Sequence, residues 1–444
     1  MPYSIRLHVA GVLVLSGLLA ACGDADYVRG ALVDTAPTAT PVSAAAITAS
    51  SDTQGLTPLI GAAAACDVQV LPLHYRTVGV RGENATASGV MLVPSGTAAA
   101  CKGPFPVLSY NRGTDINQKR TLSSPTDAET GVLTAFFAAQ GNVVVATDYL
   151  GYGKSDYGFH PYLHADSQAT ATIDALRAAR ELAGQRGVKL SGEVMLYGYS
   201  QGGHASMATH RAIESDSALA SEFKLVGVAH GTAPAALKTA ISVNPTVPTV
   251  AGQFFVPFFV TAWQKVYGDI YSSASQVFNP PYLSHIDKLF PGEDTFETAL
   301  KGGKLPASPP PGWFTELFTQ SFREGIPTNA ALLKAAERND FSASGWTPKT
   351  PTLLCTGSKD PAVPYATAQK VIETKWAAQI GAGLVRVQDV DPLVESVMLP
   401  ALCPQADPMQ KEMCRLEKYH GTLAPPLCLS AVKRFFTAIR STAP

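Results

Sequence analysis

The sequence lacks most of the features that mark several large functional classes. It has no basic run, and its 34 lysines and arginines stand against 35 aspartates and glutamates. Phosphate recognition needs clustered positive charge, so nucleic acid is not an expected partner. No cysteine pair has zinc-site spacing and no His-Glu-x-x-His pattern occurs, so the common zinc signatures are missing. Long apolar runs are scarce as well. Val9 to Ala21 is too short to span a bilayer comfortably. The aromatic run Phe254-Phe255-Val256-Pro257-Phe258-Phe259 is interrupted by Pro257 and Gln264 and closed early by Lys265. What remains is a chain of 444 residues, 46% of them hydrophobic, enough for one large core or two adjoining ones.

The first residues read as an export signal over 1–21, with Arg6 giving a positive start to the apolar stretch. The stretch ends in Leu19-Ala20-Ala21-Cys22, which resembles the bacterial lipobox. That resemblance implies a lipid-modified Cys22 as the first mature residue and a membrane as partner through the acyl chains. Gly23 stands where an Asp would favour inner-membrane retention, so outer-membrane attachment is the expected destination, with soluble secretion as the alternative. Residues 22–60 are rich in Ala, Thr, Ser and Pro, and a flexible tether is expected there. Six cysteines remain beyond Cys22, and an even count in an exported chain suggests disulfides. The local pairs Cys66–Cys101 and Cys403–Cys414 are expected. Cys355 closes a core strand and reads equally as a buried free thiol.

From Val68 onward strands and helices alternate. Val68–Val80 and Ala87–Val93 read as an opening hairpin. Pro106–Tyr110, Val143–Ala146, Val194–Tyr197, Leu225–Ala229, Thr352–Cys355 and Leu384–Val387 read as core strands. Ile173, Leu176, Ala179 and Leu182 recur every three residues, which predicts an amphipathic helix over Asp166–Leu182. This alternation predicts an α/β fold with a mostly parallel sheet covered on both faces. Residues 235–346 separate two of the strands, too long a connection to be structureless. A helical cap inserted over the sheet edge is expected, leaving 61–234 and 347–444 as the core domain. Its aromatics serve either a substrate or the cap's own core.

Gly198-Tyr199-Ser200-Gln201-Gly202-Gly203 lies between an apolar strand and a small-residue helix. A serine at the apex of such a turn is strained and lifted clear of the sheet edge, and the glycines admit the close approach. Ser200 is therefore the candidate nucleophile. A serine nucleophile needs a base, and the base needs an acid to orient it. His420 lies beyond the acid region and just before the final helix, which makes it the candidate base. His204 and His210, on the nucleophile helix, and His230, at the end of a strand, read as packing residues or as contacts that support the site, with His230 expected near it. Asp360, in the turn directly after Thr352–Cys355, is the candidate acid, with Asp391 in reserve. Oxyanion stabilisation needs two aimed N–H groups, expected from Gln201 and from Thr114 in the loop after Pro106–Tyr110.

Four motifs carry a family resemblance: Gly198 to Gly203, Arg112-Gly113-Thr114, Asp148-Tyr149-Leu150-Gly151-Tyr152-Gly153, and Asp360-Pro361-Ala362-Val363-Pro364. Together, and in this order, they resemble the secretory lipase family of α/β-hydrolases from about Val68 to the C-terminus. The resemblance implies an esterase or lipase with a helical cap, needing no cofactor and taking a small-molecule or lipid ester. It implies Ser200 as nucleophile, Asp360 as acid, His420 as base, and Thr114 with Gln201 as the oxyanion hole. Relatives often carry His where this chain has Arg112, which leaves the second donor's position open. A peptidase or acyltransferase on the same scaffold, and a non-catalytic lipid-binding lipoprotein, are the rival readings.

Overall fold

Paired strands open the body of the protein, and buried parallel strands follow them. The computed structural model describes residues 27–243, 249–381 and 383–441. The expected signal peptide and Cys22 lie outside the described residues. The strands are β1 (Thr40–Val42), β2 (Asp67–Val78), β3 (Asn84–Ser95), β4 (Phe105–Asn111) and β5 (Val143–Tyr149). They continue with β6 (Leu190–Tyr199), β7 (Lys224–Gly231), β8 (Thr352–Thr356) and β9 (Val385–Asp389). All nine form one sheet in the order β1-β2-β3-β5-β4-β6-β7-β8-β9. The pairs β1–β2, β2–β3 and β3–β5 are antiparallel, and the pairs from β5 through β9 are parallel.

Every residue of β4 and β5 is buried, as expected of strands covered on both faces. Successive side chains serve opposite cores. Leu108, Val144 and Tyr197 join the cluster under α3 (Ala128–Phe136) and the final helix Ala424–Ser441. Val107, Val145 and Leu196 face Ile173, Leu176, Ala179 and Leu182 of α4 (Ala165–Gln185). The three-residue spacing read from the sequence is thus the buried stripe of α4.

The tether expected over 22–60 is corrected from Tyr27 onward; residues 22–26 lie outside the described residues. Residues 30–33 pair with β2, through Gly30 N–H to Arg76 O at 2.8 Å and Val33 N–H to His74 O at 2.8 Å. Further along, β1 lies on the same edge, and α1 (Ala44–Thr53) and α2 (Thr57–Ile60) follow. The segment has few large apolar groups, but Ile47, Leu56 and Ile60 all enter the core. Backbone pairing does the rest, and it leaves no trace in composition.

Three disulfides join Cys66–Cys101, Cys403–Cys414 and Cys355–Cys428. The first two are the local pairs expected. The third replaces the free-thiol reading of Cys355, because β8 lies against the final helix with the two Cα atoms 5.7 Å apart.

Between β7 and β8 the chain leaves the sheet and forms short helices, the longest of them Gly252–Tyr267. Their interior packs Phe258, Trp263, Phe290, Trp313 and Phe318 against Tyr149 and Tyr162 of the sheet body. Among the described residues no helix is long and apolar enough to cross a membrane.

Candidate active site

Ser200 follows the last residue of β6 and precedes α5 (Gln201–Ser215). Its backbone has φ 60° and ψ −122°, a region that a residue with a Cβ seldom occupies. The turn is held by Ser200 N–H bonding to Gly231 O at 2.8 Å. The glycines on either side are sterically required. A Cβ on Gly198 would lie 2.0 Å from Gly202 O, and one on Gly202 would lie 1.9 Å from Asn111 O. Strand, turn and helix therefore close on one another so tightly that no side chain fits at Gly198 or Gly202.

His420 lies in a π-helical turn, Tyr419–Leu423, that runs directly into the final helix. Wide turns of this kind inside helices recur at functional sites because they re-aim a side chain. Its Nε2 is 2.8 Å from Ser200 Oγ, and its Nδ1 is 2.7 Å from Asp360 Oδ2. Asp360 is buried after β8, and its other oxygen accepts the N–H groups of Ala362 at 2.8 Å and Val363 at 3.1 Å. Because Asp360 accepts from Nδ1–H, the Nε2 lone pair is left facing the serine hydroxyl. Serine, histidine and aspartate, spread over 220 positions of sequence, thus form one hydrogen-bonded chain.

The reserve acid Asp391 takes no part, since it accepts from Lys359 N–H at 2.7 Å and from the Ser358 hydroxyl. The remaining histidines near the turn are also occupied. His204 contacts Gln168 Oε1 at 2.7 Å and Asn339 O at 2.9 Å, His210 contacts Glu214 at 2.9 Å, and His230 contacts Ser206 Oγ at 2.8 Å.

Gln201 opens α5, so its backbone N–H has no partner within the helix. In the loop after β4, Gly113 N–H is taken by Glu129 Oε1 at 3.2 Å. The Asp148–Gly153 motif braces this loop from behind. Asp148 accepts Leu122 N–H at 2.8 Å, and the Tyr149 hydroxyl donates to Arg112 O at 3.1 Å. Arg112, the departure from the family pattern, is buried with its guanidinium over the Tyr152 ring at 5.1 Å. It supports the loop from inside.

One residue near the turn carried no sequence signal of its own. His160 is fully buried, with Nδ1 2.9 Å from Leu150 O and Nε2 2.6 Å from the Gln201 side-chain amide. Burial lowers its pKa to about 3, so the ring is neutral. The only hint was its position just after the Asp148–Gly153 motif.

Above Ser200 lies a cavity of about 190 Å³ whose walls are almost wholly apolar. Phe255, Val256, Phe259 and Val260 line it from the helix Gly252–Tyr267, while Phe254, Phe258 and Trp263 of the same helix face the core. The aromatics of this segment therefore serve both the cavity and the packing. Among the described residues no group of three or more His, Cys, Asp or Glu side chains is placed to hold a metal ion.

The sheet, the strained serine turn and the apolar cavity above it define an α/β-hydrolase acting on carboxylic esters. More narrowly, the chain belongs to the secretory lipase family, whose model matches residues 117–394. It is similar to the rice cell wall degrading esterase LipA from Xanthomonas oryzae. The two are 33% identical over 91% of this chain and 98% of that one, with a TM-score of 0.77. A putative hydrolase from Legionella pneumophila shares the fold at 22% identity, covering 93% of this chain and 99% of that one, with a TM-score of 0.74. So does Candida antarctica lipase A in its closed state, at 14% identity over 94% and 91%, with a TM-score of 0.57. Among curated proteins none matches this chain. Family and neighbours make the protein a lipase- or esterase-type hydrolase with an ester substrate, and the family and the three disulfides agree with export.

Proposed function

We propose that Ser200 is the nucleophile, His420 the base and Asp360 the acid of this esterase, with Gln201 and Thr114 supplying the oxyanion N–H groups. The observation that carries the reading is the continuous bonding from Asp360 through His420 to Ser200 at 2.7 and 2.8 Å. His420 takes the Ser200 proton as Oγ attacks the ester carbonyl, and Asp360 stabilises the imidazolium that forms. The same proton passes to the leaving alkoxide, and the acyl group stays on Ser200. Water, activated by His420, then releases the acid. The acyl chain occupies the cavity under residues 235–346, which serve as a cap. Its walls offer no charged group for a peptide terminus, which favours apolar acyl or aromatic esters over peptides. The kinship with a cell wall degrading esterase favours esters met outside the cell, and the apolar cavity leaves polyester segments among the candidates. Cys22 is proposed as the lipidation site that holds the enzyme at the outer membrane.

Ser200→Ala tests the assignment. A fluorophosphonate should label the wild-type protein and leave the variant unlabelled, and p-nitrophenyl ester hydrolysis should disappear with it. Labelling that survives in the variant would place the nucleophile elsewhere.

A further inference from the structure

Two residues of one short loop reach the two positions assigned here to the oxyanion hole. His160 bonds the side chain of Gln201 at 2.6 Å, and the Tyr162 hydroxyl lies 2.8 Å from Thr114 Oγ1. We infer that His160-Pro161-Tyr162 is a positioning clamp that fixes the spacing of the two oxyanion donors. The inference rests on the oxyanion assignment proposed above.

The hydrogen-bond directions around His160 follow from its surroundings. Leu150 O can only accept, so His160 Nδ1 carries the proton. Nε2 must then accept, and the Gln201 amide presents its NH₂. Burial keeps the ring from protonating near neutral pH, so this arrangement has one proton pattern. Gln201 begins α5, and anchoring its side chain fixes the direction in which its main-chain N–H points.

The second arm is equally constrained. The Tyr162 ring stacks on Phe258 with centroids 4.2 Å apart and planes 10° apart. The Trp263 indole N–H bonds to Tyr162 O at 3.1 Å, so backbone and ring are both held. Thr114 follows Gly113, whose N–H is taken by Glu129. The Thr114 hydroxyl is thus tied to a residue that cannot shift without disturbing the packed segment above. Pro161 between the two arms has a fixed φ, which limits how far His160 and Tyr162 can move relative to each other. Neither residue touches the triad; both act through the donors. The clamp also links the donors to the residues over the cavity, because Tyr162 itself lines it.

Tyr162→Phe removes only the hydroxyl. His160→Phe keeps a ring among Tyr149, Tyr152 and Phe258 while removing both nitrogens. For each variant of the full protein, kcat and KM for a p-nitrophenyl ester are measured beside the Ki of a trifluoromethyl ketone carrying the same acyl chain. The clamp predicts a kcat lower by roughly 10- to 100-fold, short of the about 10²- to 10³-fold that follows outright loss of a donor. KM should stay within about twofold, and Ki should rise by the same factor as kcat/KM falls. A stably folded Tyr162→Phe with wild-type kcat and Ki would overturn the clamp, and that variant decides alone if His160→Phe does not fold. A ketone that binds the wild-type enzyme no more tightly than the corresponding alcohol would instead remove the oxyanion assignment, and the clamp with it.

Discussion

Asp360 is the residue whose role can be isolated with least disturbance. In Asp360→Asn the Oδ1 contacts with the Ala362 and Val363 N–H groups survive, but an amide NH₂ faces His420 Nδ1. The imidazole must then carry its proton on Nε2, where it can no longer accept from Ser200. The expected outcome is a fall in kcat of about 10⁴-fold with little change in melting temperature, checked by steady-state kinetics beside calorimetry. Ser200, Asp360 and His420, the proposed triad, could each be named from sequence because the chemistry restricts residue type and the fold restricts chain order. His160 could not, since it touches Gln201 across 41 positions and nothing periodic or compositional links the two. Thr114 was named by loop position alone, and its contact with the Tyr162 hydroxyl is a tertiary event.

At the scale of elements, the inner parallel strands were legible because burial on both faces turns them into unbroken apolar runs, as in β5 with Val143-Val144-Val145-Ala146, whereas β9, read as a core strand, is a largely exposed edge. Helix α4 was legible for the opposite reason, an apolar stripe on an otherwise polar surface. The segment from Tyr27 to Ile60 was not, because main-chain pairing with β2 needs no characteristic side chains. Nor was Cys355–Cys428, which joins positions 73 residues apart. That disulfide ties β8, which leads to Asp360, to the helix that follows His420. Replacing both cysteines with alanine is expected to cost about 2–5 kcal/mol. Denaturant unfolding of the variant against the parent measures the loss, and thermal inactivation should speed up in parallel.

The whole molecule carries its own pH limit. Burial lowers the pKa of His160 and of His204 to about 3, and lowers those of His164 and His230 as well. In the unfolded chain these rings titrate near about 6.5. Folded pKa values below the unfolded value mean that the unfolded state binds the extra protons. Stability is therefore full above about pH 6.5 and falls with pH, His160 and His204 each contributing a slope of about 1.4 kcal/mol per pH unit down to about pH 3, and His164 and His230 acting in the same direction. Melting temperatures measured from pH 7 to 4 should decline throughout; a flat profile would contradict the neutral buried rings. The point where the chain enters the fold has a consequence at the same scale. Tyr27 donates its hydroxyl to Thr77 O at 2.7 Å and accepts Ala85 N–H at 3.0 Å, at the end of β2 that shares its direction with the carboxyl ends of β5 and β6. Tyr27 lies five positions after Cys22, a span of no more than about 18 Å. With Cys22 acylated as proposed, the enzyme is moored on a short line by its catalytic end, so its catch is whatever drifts along the bilayer rather than what lies far out in the medium.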